Sequence, residues 1–135
     1  MTVLSTVPSI QAILACAAVL GLIFVGLSIM TIAERRKASV YLGAGDSDRL
    51  LRRIRAHANF AEYVPLALIL IAGVAITEAP LWFVNTSCTG LVAGRVLHAT
   101  GILRSDERQR IAGMAATLTV IGATSFFNLI AIALI

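Results

Sequence analysis

Arg52, Arg55, Asn59, Glu62 and Tyr63 bring two cations, an amide, a carboxylate and a phenol into one short stretch. At 100° per residue of an α-helix, all five fall within an arc of about 100° on one face. A polar stripe of that kind in an apolar segment looks into a helix bundle or a subunit interface. Arg95 and His98, one helical turn apart, share a face of a second segment near its basic end. Gly90 and Gly94, just before them, form a Gly-xxx-Gly pair that lets another helix approach closely. With two cysteines and two histidines at unrelated spacings, no metal-ligand pattern is present.

The elements that position these residues follow from composition. Of 135 residues, 59% are hydrophobic and 13% charged, against about 25% charged in a soluble domain. Much of the apolar surface must therefore face lipid. Four segments, residues 9–36, 49–77, 80–103 and 108–134, are long enough to span a hydrocarbon core, which needs about 20 residues. The turn-rich run from Leu42 to Asp48, the tight Glu78-Ala79-Pro80 junction and the polar run from Arg104 to Arg110 separate them. Pro80 suits the first position of a helix, where its missing N–H would have had no partner. Short connections make neighbours antiparallel. The expectation is an all-α integral membrane protein, one domain over residues 1–135, folded as an antiparallel bundle of four transmembrane helices. The first segment reads as retained, because the basic cluster Arg35-Arg36-Lys37 follows its apolar run, where a cleaved signal peptide has a basic start.

All eleven basic residues fall toward one end of this bundle, and Glu78 is the only charge at the other. By the positive-inside rule the basic end is cytoplasmic and both termini are outside. Short loops without a targeting sequence fit a bacterial inner membrane. Topology thus accounts for the net charge of +4 without a nucleic-acid partner. Trp82 suits the opposite interfacial belt. Cys16 and Cys88 lie within apolar segments and read as buried, inert thiols. Glu62 lies ten residues beyond Arg52, roughly 15 Å along the axis and within the membrane. A carboxylate there costs about 2.5–3.5 kcal/mol unless paired. Arg55 is about 10 Å away by the same rise, so either Asn59 bridges the two or the partner comes from another helix, as Arg95 and His98 of the third helix offer.

The segment from Arg55 to Leu66, with its Arg-x-x-x-Asn-x-x-Glu core followed by Tyr63 and Pro65, resembles the second-helix signature of the MAPEG family, the membrane-associated proteins in eicosanoid and glutathione metabolism. Gly94-Arg95-Val96-Leu97-His98 is similar to the third helix of its prostaglandin E synthase branch. The resemblance implies a homotrimer binding glutathione near the cytoplasmic side, between adjacent subunits. It assigns Arg55, Asn59, Glu62 and Tyr63 to the tripeptide, the cations meeting its carboxylates and Glu62 its amino group. His98 matches a further ligand position, with Arg95 beside it; Arg36 and His57 match contacts supplied by the neighbouring subunit. The family also has a thiolate-stabilising arginine near the start of helix four, a position that Arg108 and Arg110 share. Where several glutathione-using members have a tyrosine, four residues after the His98 position, this chain has Ile102.

The implied activity is that of a microsomal-type glutathione transferase, activating glutathione as a thiolate against a lipophilic electrophile that arrives from the bilayer. Two other readings stand beside it. One is a catalytically inactive scaffold of the same fold, which Ile102 favours. The other is a proton-coupled multidrug exporter working through Glu62, against which stands the arginine-rich face that holds the carboxylate ionised and repels cations.

Overall fold

The structure, a computed structural model, describes residues 7–134; residues 1–6 and Ile135, which the single-domain expectation takes in, lie outside them. Four helices follow one another: α1 (Val7–Ala38), α2 (Asp48–Ile76), α3 (Leu81–Arg104) and α4 (Glu107–Ala133). Helices α2 and α3 form the centre of the bundle. Each of them packs against the other three, whereas α1 and α4 do not meet. The junctions, residues 39–47, 77–80 and 105–106, put the end of α1, the start of α2, the end of α3 and the start of α4 together. That common end carries nearly all of the basic residues.

Helix α1 buries Ser9, Cys16, Leu20, Leu27 and Glu34. At 100° per residue these five lie within an arc of about 40°, so α1 meets the bundle along one narrow stripe and exposes the rest. Glu34 is in phase with the apolar stripe and is only 7% exposed. Its carboxylate is met by Arg49 Nε at 3.3 Å and Arg53 Nη1 at 3.2 Å. Arg53 Nη1 also donates to the Met30 carbonyl at 2.6 Å. This clamp fixes α1 to the first turns of α2. Glu34→Ala leaves the largely buried Arg53 without its counter-charge, and the expected cost is about 3 kcal/mol. Thermal unfolding in detergent reads it directly; an unchanged midpoint would contradict the clamp.

Capping explains where α2 and α4 begin. Ser47 Oγ accepts from Leu50 N at 3.2 Å, and Asp106 Oδ1 accepts from Gln109 N at 3.0 Å. Pro80 precedes the first helical residue of α3 and is its N-cap, one position earlier than expected. Ser105, with φ of 58°, ends α3 in the left-handed conformation, and Asp106 N returns to the Gly101 carbonyl at 2.8 Å. The chain therefore reverses between α3 and α4 in two residues.

Only α1, α2 and α4 are apolar enough by composition to cross a membrane. Helix α3, the remaining member of the expected four-helix membrane bundle, is less apolar because it carries Asn85, Thr86, Ser87, Arg95 and His98. Its polar groups are affordable because α3 is central: Ser87, Arg95 and His98 are buried against other helices and do not face lipid.

Small residues set the spacing of α3 and α4. Gly90, Gly94 and Gly101 share one face of α3, and the buried residues of α4, Gly113, Thr117, Val120 and Thr124, form an equally narrow stripe. A Cβ at Gly94 would lie 3.0 Å from Thr117 Oγ1 and 3.1 Å from the Gly113 carbonyl. At Gly101 it would strike the Arg110 backbone, with Cα at 2.8 Å, and at Gly113 the backbone of His98 and Gly94. The Gly-xxx-Gly pair thus packs α3 against α4 of the same chain. Thr117 and Thr124 satisfy their hydroxyls on the Gly113 and Val120 carbonyls, at 2.9 and 2.7 Å.

Candidate functional site

A cavity of about 660 Å³ opens at the basic end of the bundle, within the range of about 300–1,000 Å³ usual for small-molecule sites. Its α2 wall is Asp48, Arg52, Arg55 and Asn59; its α3 wall is His98, Gly101 and Ile102; Asp106, Glu107, Arg110 and Met114 close it from α4. Three guanidinium groups and three carboxylates therefore surround one space. That charge pattern suits a ligand bearing carboxylates and an ammonium group.

Of the sequence-predicted residues, the cavity brings together Arg55, Asn59, His98 and Arg110. Arg108 is exposed and takes no part in the wall. Arg110 is held by the cap that starts α4, and its guanidinium reaches Glu107 Oε1 at 3.4 Å across an exposed pair. Its backbone carbonyl accepts from His98 Nδ1 at 2.8 Å. Because an oxygen of this kind has no proton to give, the proton must sit on Nδ1.

Arg95 is not a cavity residue. It is 1% exposed, and its Nη1 donates to Asn59 Oδ1 at 3.2 Å, with the guanidinium over the Tyr63 ring at 5.5 Å from the centroid. No carboxylate meets it among the described residues, and its Nε has no hydrogen-bond partner. With Asn59 Oδ1 committed to Arg95, the amide's NH₂ group is the end left for other partners. The expected pairing of Glu62 with Arg95 and His98 is therefore corrected. On the α2 wheel Asn59 and Tyr63 occupy the edge that α3 covers, while Arg55 and Glu62 occupy the opposite edge and are exposed. Glu62 makes no ion pair among the described residues.

His57 lies off the cavity, turned toward α1. Its ring stacks on Phe24 with centroids 4.7 Å apart, and Nε2 is 3.0 Å from Ser28 Oγ. Arg36 is exposed at the end of α1, also away from the cavity. Ile102 lines the wall one turn beyond His98. Cys16 and Cys88 are buried free thiols on α1 and α3, the Cys16 thiol donating to the Cys88 carbonyl at 3.7 Å.

Asp48, Asp106 and Glu107 were missed as cavity residues, because at a helix start an acid serves the cap and the dipole equally well. Gly101 and Gly113 were missed as well. Gly101 repeats the phase of Gly90 and Gly94 after two further turns, a signal that was present in the spacing.

The architecture is that of a small four-helix membrane protein in which α2, α3 and α4 enclose an arginine-lined polar chamber at one end. The chain belongs to the MAPEG family, whose sequence pattern matches residues 13–130. It is similar to the inner membrane protein YecN of Escherichia coli K12, with 32% identity over 97 residues that cover 72% of this chain and 74% of YecN. YecN of Escherichia coli O6:H1 is similar to the same degree.

Proposed function

We propose that the protein is a membrane-bound, glutathione-dependent transferase that works as a homotrimer in a bacterial inner membrane, its basic end cytoplasmic and both termini outside. The observation that carries this reading is the mixed-charge cavity walled by Arg52, Arg55, Asn59, His98 and Arg110. Glutathione presents two carboxylates, an ammonium group and a thiol. The arginines answer the carboxylates, and Glu62, or an acid of the cavity rim, answers the ammonium group. Exposure of Arg55 and Glu62 supports the trimer, since a neighbouring subunit would cover that edge of α2 and complete the site. Tyr63 and Arg95 then support the wall from behind, and Arg36 and His57 are the residues a neighbour would bring.

The chemistry requires thiolate, and a free thiol with a pKa near 8.5 is mostly protonated at neutral pH. Arg110 is the chamber's cation at the start of α4, and stabilising the thiolate by about 1.4 kcal/mol lowers that pKa by one unit. The electrophile is lipophilic and enters from the bilayer. Ile102 supports one alternative, a scaffold of the same fold without turnover, because it sets an apolar side chain in the chamber wall where glutathione-using relatives present a phenol.

Glutathione should raise the thermal midpoint of the detergent-purified protein, and conjugation of a generic aryl electrophile should follow. Arg55→Ala should weaken the protection at least about tenfold in glutathione concentration, the loss of one charge-assisted hydrogen bond, while the oligomer stays intact. Protection equal in variant and parent would remove Arg55 from the site. Protection without conjugation would leave the scaffold as the better reading.

A further inference from the structure

His98 is 5% exposed and yet contributes to the cavity wall. Its Nδ1 donates to the Arg110 carbonyl at 2.8 Å, so in the neutral ring Nε2 carries the lone pair. Nε2 has no hydrogen-bond partner among the described residues. With Nδ1 committed to the Arg110 carbonyl and His98 lining the cavity, Nε2 is the ring nitrogen left for a ligand there.

The tautomer is built into the fold. Gly101 and Gly113 let α4 come so close to α3 that the backbone at Arg110 is within hydrogen-bonding reach of the ring. The other histidine is set the opposite way. Ser28 Oγ gives its one proton to the Phe24 carbonyl at 2.8 Å, so its oxygen accepts from His57 Nε2–H. Of the two imidazoles, one faces the chamber with an acceptor, and the other is tied to α1.

We propose that His98 Nε2 is the proton acceptor for the thiol of the bound tripeptide; this rests on the glutathione reading above. The S–H bond breaks, an N–H bond forms at Nε2, and sulfur keeps the electron pair. That pair forms the C–S bond to the electrophile. The proton on Nε2 then passes to the electrophile atom that gained the charge, or leaves with the departing group, and the ring returns to neutral. Throughout, Nδ1–H remains on the Arg110 carbonyl. Arg110 thus acts twice, its backbone orienting the base and its guanidinium facing the thiolate. The charged groups around the ring are Asp48, Arg52 and Arg55 from α2, Arg95 from α3, Asp106 at the junction, and Glu107 and Arg110 from α4.

The test is His98→Asn, whose amide nitrogen occupies the place of Nδ1 and keeps the donor to the Arg110 carbonyl while Nε2 is lost. Thermal protection by glutathione should stay within about twofold of the parent. Turnover of a nitro-activated aryl halide should fall about 10²-fold at neutral pH, the scale of general-base catalysis. It should recover as pH rises toward the ordinary thiol range, and added imidazole should restore part of it. Protection with parental turnover and a parental pH profile would overturn the role of His98 and leave the glutathione reading standing. Absence of protection in the parent would overturn both. Nitrogen NMR of histidine-labelled parent protein checks the premise whether or not the variant folds: Nδ1–H is expected at His98, and Nε2–H would overturn the proposal.

Discussion

Gly113→Ala should disable the chamber, although Gly113 contributes nothing to its wall. A methyl group there meets the backbone of His98, with Cα at 2.8 Å, and the Gly94 carbonyl at 2.6 Å. Backbone atoms inside two packed helices cannot turn aside as a side-chain tip does, so α3 and α4 have to separate. Overpacking of this kind costs about 1–3 kcal/mol, and more where no relaxation is open. The separation also draws Arg110 away from His98, whose 2.8 Å bond depends on the close approach. The expected result is a lower thermal midpoint in detergent together with loss of glutathione protection. Gly122→Ala is the control on the same helix, since its Cβ would meet nothing within 4 Å. It should stay within about 1 kcal/mol of the parent, on the stabilising side, because alanine is the better helix former. If Gly113→Ala kept both the midpoint and the protection, the spacing of α3 and α4 would have no bearing on the chamber.

Arg110→Ala should abolish most of the activity and leave the fold intact. Among the described residues the only ion pair it breaks is the exposed one to Glu107 at 3.4 Å, and such pairs contribute about 0–1 kcal/mol. The bond to His98 survives, because it uses the backbone carbonyl. What disappears is the one of the chamber's three cations that α4 supplies. Removing a preorganised electrostatic contact in a reaction site costs on the order of 10²-fold in kcat. The direction with pH follows from charge. A nearby guanidinium favours thiolate and lowers the thiol pKa, so its loss raises that pKa; the thiolate fraction falls at neutral pH and returns only in more alkaline solution. Thiolate absorbance of bound glutathione, followed across pH, reads this directly. Arg108→Ala, on the exposed side of the same turn, should match the parent; the reverse ranking would assign the thiolate to Arg108.

The four-helix architecture was legible because charges mark the helix ends and turn-forming residues mark the junctions. Phase within a single helix was legible too, and the stripe on α2 is real. Which neighbour covers which edge of a stripe was not legible, since that depends on how helices rotate against one another. Asn59 and Tyr63 meet Arg95, while Arg55 and Glu62 look outward, and the wheel gives all of them one face. Glu34 was overlooked because it adjoins Arg35, Arg36 and Lys37 and reads as part of a charged helix end. Its register with Leu20 and Leu27 was the available signal that it belongs to the buried stripe. For Arg108 and Arg110 the difference lay in two residues of loop. Only the left-handed Ser105 and the Asp106 cap determine which side of α4 faces the chamber.

The chamber draws its wall from two contiguous stretches, residues 48–59 and 98–114. Beyond them, toward the junction of α2 and α3, the packing is mostly apolar, with Ser87, Thr124 and Asn128 as its polar members. The charged wall of the chamber and the more apolar half of the bundle are therefore separated along its axis. Substitutions in the far half can follow a change in bilayer thickness or in the shape of a hydrophobic guest while the polar end stays constant. Under the proposed function, the choice of lipophilic partner varies in one half without disturbing the other.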